Sequence, residues 1–180
     1  MKRKSYIVAP PVQLQEGRRE FLRTAILGAG ATALVSGLNS AEVFAAGKTD
    51  VLLLSCMDYR LVSATHRYMD RRGLAGKYDH IVLAGASLGA ITDKFPDWNT
   101  TFWDHLKLAI DLHKIHTVML LDHRDCGAYK EILGCCKDEE DETKVHKAQL
   151  IKLRDLIKEK HEKLDVELLL MNLRGKVMRF

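Results

Sequence analysis

Leu53-Leu54-Ser55-Cys56-Met57-Asp58-Tyr59-Arg60 is an apolar run that stops at a cysteine, then sets a carboxylate and a guanidinium at alternate positions. A second stretch of the same design, Val118-Met119-Leu120-Leu121-Asp122-His123-Arg124-Asp125-Cys126-Gly127, places His123 67 residues beyond Cys56. Continuous apolar runs of this length read as strands buried on both faces. Each then runs into a loop rich in reactive groups. Around these two, the remaining elements alternate. Val51–Ser55 is the first strand, Leu61–Arg72 a helix ending at Gly73, and Ile81–Ala84 a short strand closed by Gly85. Thr101 and Asp104 have the spacing of a capping box, which predicts a helix start there with Phe102, Leu106, Ala109, Ile110 and His113 at helical spacing. Thr117–Leu121 is the third strand, Gly127–Leu133 a short helix stopped at Gly134, and Lys144–Leu164 a long helix with Leu150, Leu153, Ile157 and Leu164 on one face. Val166–Met171 is the fourth strand. The expected fold is α/β, a mostly parallel sheet of about four strands with helices on both faces. Sites in such sheets lie beyond the strand carboxyl ends, where strand order reverses, and Cys56 and His123 both fall at strand ends.

The first 46 residues read as an address. Gly17-Arg18-Arg19-Glu20-Phe21-Leu22-Arg23 sets a paired arginine ahead of the uncharged run Ala25 to Leu38, and Val43-Phe44-Ala45-Ala46 supplies small residues for cleavage. This layout resembles a twin-arginine export signal. It predicts removal of residues 1–46, a single domain over residues 47–180, and a periplasmic or secreted location. The apolar run of 14 residues is shorter than the roughly 20 needed to cross a bilayer, so no stable span is expected after cleavage.

Setting residues 1–45 aside brings the net charge from +4 to about +1, with 22 basic residues against 21 acidic. A near-neutral domain without a basic stripe or aromatic-basic ladder has no bulk attraction for nucleic acid, and none is expected as a partner. The acidic run between Lys137 and Lys144 reads as a solvated loop leading into the long helix.

Cys56, His123 and Cys126 together offer two thiolates and an imidazole. His123 and Cys126 are three residues apart, so one loop can present both, while Cys56 comes from the other strand end. Two soft ligands plus imidazole suit Zn2+ with a fourth place left for water, the catalytic rather than the closed structural arrangement. Zinc in such a place lowers the pKa of water to about 7. Asp58 and Arg60, two apart on an extended segment, can form a charge-assisted pair beside the metal. There Asp58 orients the water, or swings in as a fourth ligand.

Cys56-Met57-Asp58-Tyr59-Arg60 matches C-x-D-x-R and His123-Arg124-Asp125-Cys126-Gly127 matches H-x-x-C-G. These paired signatures resemble the β-class carbonic anhydrases over roughly Val51 to Met171, and Ala84-Gly85 sits where that family has an Ala-Gly turn lining the site. The resemblance implies zinc on Cys56, His123 and Cys126, a catalytic Asp58–Arg60 dyad, reversible hydration of carbon dioxide to bicarbonate, and a homodimer or higher homo-oligomer. Val82-Leu83 stands where the family usually has Arg-Asn. Only about ten residues lie between the expected cut and Cys56, where the family carries a helical arm. Two alternatives therefore stay open: hydrolysis of carbonyl sulfide or carbon disulfide on the same scaffold, and a zinc protein without catalysis.

Cys135-Cys136 lies outside the metal pattern and reads as a helix-end pair, able to join as a disulfide or to bridge chains. His66, His80, His105, His113, His116, His146 and His161 lack ligand spacing and read as surface or satisfied core histidines. Phe95-Pro96-Asp97-Trp98 reads as an aromatic loop tip.

Overall fold

The chain is described from a computed structural model, which covers residues 49–180; the expected export segment lies outside the described residues. Its sheet is built from β1 (Val51–Ser55), β2 (Tyr78–Val82), β3 (Thr117–His123), β4 (Asp165–Met171) and β5 (Val177–Arg179) in the order β2-β1-β3-β4-β5. The first four are parallel and β5 is antiparallel to β4. The expected sheet therefore gains a fifth strand. β5 escapes a hydropathy reading because it spans three residues and none of them is buried. Its hairpin is closed by Asn172, whose side-chain oxygen accepts from the backbone amides of Arg174 and Lys176.

Alternation across the pleat explains the continuous apolar runs. Leu52, Leu54, Val118 and Leu120 face a core closed by Phe102 and Leu106 of α2 (Pro96–Leu108) and by Leu150, Leu153 and Ile157 of α4 (Glu139–Lys160). Val51, Leu53, Met119 and Leu121 face the opposite side, where Ala64 and Met69 of α1 (Val62–Arg71) cover them. Strands buried on both faces need apolar residues at every position, and β1 is buried throughout. Each fully buried aliphatic side chain is worth roughly 1.5–3 kcal/mol.

Three elements start at places that differ most from the sequence expectation, while β3 runs two residues past Leu121 to His123 and the long helix ends at Lys160, short of Leu164. β2 spans Tyr78–Val82 rather than Ile81–Ala84. It lies at the sheet edge, where Asp79 can pair with His113 and His80 with Ser55, so its polar residues conceal it. α2 starts at Pro96, not at Thr101: proline at the first helical position needs no amide partner. Thr101 sits inside the helix with its hydroxyl donating to the Asp97 carbonyl. α4 starts at Glu139, capped by Asp138, whose side chain accepts from the Asp141 amide. The acids from Glu139 to Glu142 thus form its first turn, where negative charge offsets the helix dipole. That part of the acidic run is helix, not loop.

Phe102 is fully buried and stands edge-on to Trp103, with ring centroids 5.1 Å apart. Phe102→Ala is expected to cost about 3–5 kcal/mol of unfolding free energy through the cavity it leaves. Urea denaturation should show a lower midpoint with an unchanged slope.

Candidate metal centre

The chain passes from β1 through α1 to β2 on one side of β1, then through α2 to β3 on the other. The order reverses at β1 and β3, and a crevice opens beyond their carboxyl ends. Cys56 is the first residue past β1 and His123 the last of β3. The chain then turns tightly through Asp125 at φ +57°, a left-handed conformation that aspartate tolerates better than most residues. That turn brings Cys126 back to cap α3 (Gly127–Leu133).

The structure brings all three together. One donor atom from each of Cys56, His123 and Cys126 lies within 4.8 Å of the others, and the two sulfurs are 3.9 Å apart. A tetrahedron with bonds of about 2.3 Å has an edge of about 3.8 Å, close to this sulfur separation. The His123 Nδ1–H donates to the Arg124 carbonyl at 2.8 Å, leaving Nε2 with a lone pair. That Nε2 is buried and has no hydrogen-bond partner. An orphaned imidazole nitrogen facing two thiols is what a soft divalent metal satisfies, so the donor set fits zinc.

The electrostatics favour a thiolate. A hydrogen bond from Cys126, then the contacts to His123 and the Gly85 amide, bring the Cys56 thiol down to about 4 against the opposing effect of burial. The same hydrogen bond to Cys56, helped by burial, pushes Cys126 up. A metal that takes both sulfurs as thiolates must displace the proton held between them. The Gly85 amide lies 3.3 Å from the Cys56 sulfur, at φ +79°, a conformation that glycine adopts without strain.

Arg60 joins the two site loops. Its Nε and Nη2 donate to Asp58 at 2.7–3.2 Å, while Nη1 donates to the Asp125 carboxylate at 2.8 Å and Nη2 to the Asp125 carbonyl at 3.0 Å. The Asp58 Oδ2 lies 3.9 Å from the His123 Nε2, at the mouth of the three donors. Hydrogen bonds from Arg60 hold the Asp58 carboxyl down at about 2, outweighing its desolvation. Because this folded-state value lies below the ordinary one, the pair's stabilisation is complete above about pH 4 and lost as the pH falls through about 2. Denaturant unfolding of Asp58→Asn between pH 6 and 2 is expected to lack this part of the acid limb, by a small amount because Arg60 is exposed.

A cavity of about 760 Å³ opens in front of the donors, lined among others by Met57, Tyr59, Ala84, Phe95, Trp98 and Lys130. The aromatic stretch is therefore part of the pocket wall: Phe95 and Trp98 stack with centroids 4.1 Å apart at the start of α2. Two arrangements had no sequence signal of their own. Asp125 is Arg60's second partner, and Asp122, Ser87, Tyr129 and His146 form a buried polar cluster behind the donors. Asp122 breaks the apolar run of β3, the one hint available. His146 is a core residue, but its Nε2 is unsatisfied. Cys135 and Cys136 lie just past α3, outside the converging donors. Among the described residues no helix is long and apolar enough to cross a membrane.

The family described as "Putative carbonic anhydrase" matches residues 46–179. An uncharacterized protein of Rickettsia conorii is 42% identical over 132 residues, spanning 72% of this chain and 71% of its own. An uncharacterized protein of Rickettsia bellii is 39% identical over 130 residues, or 71% and 79% of the two chains. Among solved structures, a carbonic anhydrase of Streptococcus mutans superposes with a TM-score of 0.50 at 20% identity, covering 93% of this chain and 99% of that one. The β-carbonic anhydrase CafD of Aspergillus fumigatus does so with a TM-score of 0.50 at 12% identity, covering 73% and 89%. At these identities the two structures establish a shared fold.

Proposed function

The chain belongs to the family described as "Putative carbonic anhydrase", and from that premise we propose that it catalyses the reversible hydration of carbon dioxide to bicarbonate and a proton. The observation that carries this reading is the convergence of Cys56, His123 and Cys126 around an unpartnered imidazole nitrogen, beside an Arg60-held Asp58.

Cys56, His123 and Cys126 would hold the zinc. Bound there, zinc supplies a Lewis acid that brings the pKa of water to about 7. The Arg124 carbonyl keeps the imidazole in the tautomer that offers Nε2, and the Gly85 amide supports the Cys56 sulfur as an anion. With its carboxyl near 2, Asp58 is too weak a base to take a proton at neutral pH, where a base poised near 7 is most effective. Its part is to accept a hydrogen bond and aim the oxygen lone pair of the water at the substrate carbon. Arg60 keeps that acceptor ionised and fixed. The apolar wall of Met57, Ala84, Phe95 and Trp98 receives a small uncharged substrate. The proton leaves to buffer.

The same apolar wall would accept carbonyl sulfide or carbon disulfide, which is the second reading. Stopped-flow measurement on the full chain loaded with zinc tests both. Carbon dioxide hydration well above the buffer rate supports the first, and turnover of the sulfur analogues alone transfers the assignment to them. Stoichiometric zinc with no turnover of any of the three identifies a non-catalytic zinc protein.

The proposal includes a homodimer or higher homo-oligomer, supported by the exposed Met57 and Tyr59 at the cleft. It also includes twin-arginine export to the periplasm or beyond with removal of residues 1–46, for which Arg18-Arg19 and the apolar run behind them are the support.

A further inference from the structure

Asp122 is an unusual residue for the centre of a parallel sheet. It is fully buried at the carboxyl end of β3, where leucine or valine would pack without any loss of hydration. Its carboxylate is instead surrounded by donors. The Ser87 amide reaches Oδ1 at 3.0 Å, and the Ser87 hydroxyl lies 2.7 Å from each oxygen. The Tyr129 hydroxyl donates to Oδ2, and the His146 Nδ1 lies 3.0 Å from the same oxygen. Ser87, Tyr129 and His146 are as buried as Asp122, and the His146 Nε2 has no partner, so the cluster forms at the expense of one unsatisfied nitrogen. Buried polar clusters of this kind contribute little net stability over an apolar replacement. What they do contribute is a single fixed arrangement of the segments that they join.

Two of those segments carry His123 and Cys126, and a third supplies the amide that meets the Cys56 sulfur. Ser87 lies two residues beyond Gly85, whose amide meets the Cys56 sulfur. Asp122 directly precedes His123. Tyr129 lies three residues beyond Cys126, on the first turn of α3. We propose that Asp122 is a positioning residue, a carboxylate that sets the spacing of Cys56, His123 and Cys126 through Ser87, its own strand and Tyr129. This rests on the metal reading above.

Cobalt(II) titration of the full chain, followed by ligand-field and thiolate charge-transfer absorption, separates the two ideas without any activity assay. Tyr129→Phe keeps the ring and removes one donor. It is expected to weaken cobalt affinity about tenfold, the lower end of what groups behind a ligand are worth, and to shift the ligand-field bands. Ser87→Ala should act in the same direction, and Asp122→Asn more strongly. Phe102→Leu, on α2, which carries neither a donor nor a cluster residue, should lower the melting temperature and leave affinity and spectrum as in the wild type. If Tyr129→Phe and Ser87→Ala match the wild-type affinity and spectrum, or change only as Phe102→Leu does, the positioning role is overturned. Failure of all three cluster variants to fold, while Phe102→Leu folds, assigns the cluster to folding alone and overturns it equally. A wild-type chain that binds neither cobalt nor zinc removes the metal reading itself.

Discussion

Cys56→Ser is expected to abolish zinc retention and carbon dioxide hydration together. Serine has nearly the same shape, but its hydroxyl stays protonated where the contacts from Cys126, His123 and the Gly85 amide hold the Cys56 thiol well below its usual range. Two donors, His123 and Cys126, would then remain of three. Hydration should fall more than about a hundredfold, since altering only the groups behind a ligand already costs 10- to 100-fold. Zinc stoichiometry after dialysis and the stopped-flow rate are read on the same sample. A serine variant that keeps one zinc per chain and its rate would take Cys56 out of the centre.

Asp58→Asn is expected to separate chemistry from metal binding. Zinc should stay at one per chain, because Asp58 is not among the three converging donors. kcat/KM should fall about a hundredfold, the loss that accompanies misplacement of a reacting group by about 1 Å. Asparagine fills the same space, yet its amide can present a donor where an acceptor is needed, and Arg60 loses a charged partner. Arg60→Ala should lower the rate in the same direction with zinc retained, since Asp58 then loses the guanidinium contacts that hold it in place. An asparagine variant with wild-type turnover would leave Asp58 as a partner of Arg60 and nothing more. Zinc loss in that variant would instead make Asp58 a fourth ligand.

The parts of the molecule that could be read locally were read from the chain itself. Val51–Ser55 and Thr117–Leu121 lie in central strands, where both faces select apolar residues; β3 runs two residues further, through the polar Asp122 and His123. The ends of those runs mark the carboxyl edge of the sheet, where Cys56 and His123 fall. The fold class follows from the same alternation. Less visible were elements whose residues do not repeat the core pattern. β2 is an edge strand with a polar face, and β5 is three exposed residues. α2 opens on Pro96, while the Thr101–Asp104 spacing imitated a start one turn inside the helix. The acids after Asp138 looked like a solvated loop because charge composition does not separate a loop from the first turn of a helix, which draws negative charge to its dipole.

Donor types, their spacing and their attachment to strand ends were thus determined by the amino-acid sequence alone, because each depends on hydropathy and chemistry within a few residues. Only the tertiary structure decided which groups stand behind those donors. Arg60 meets Asp125 from 65 residues away, and Asp122 gathers Ser87 and His146 from 35 and 24 residues away. Hydrogen bonds over such separations depend on which strands lie side by side and on the way the connecting helices cross them. Side-chain polarity along a chain carries no record of that arrangement until the sheet has assembled.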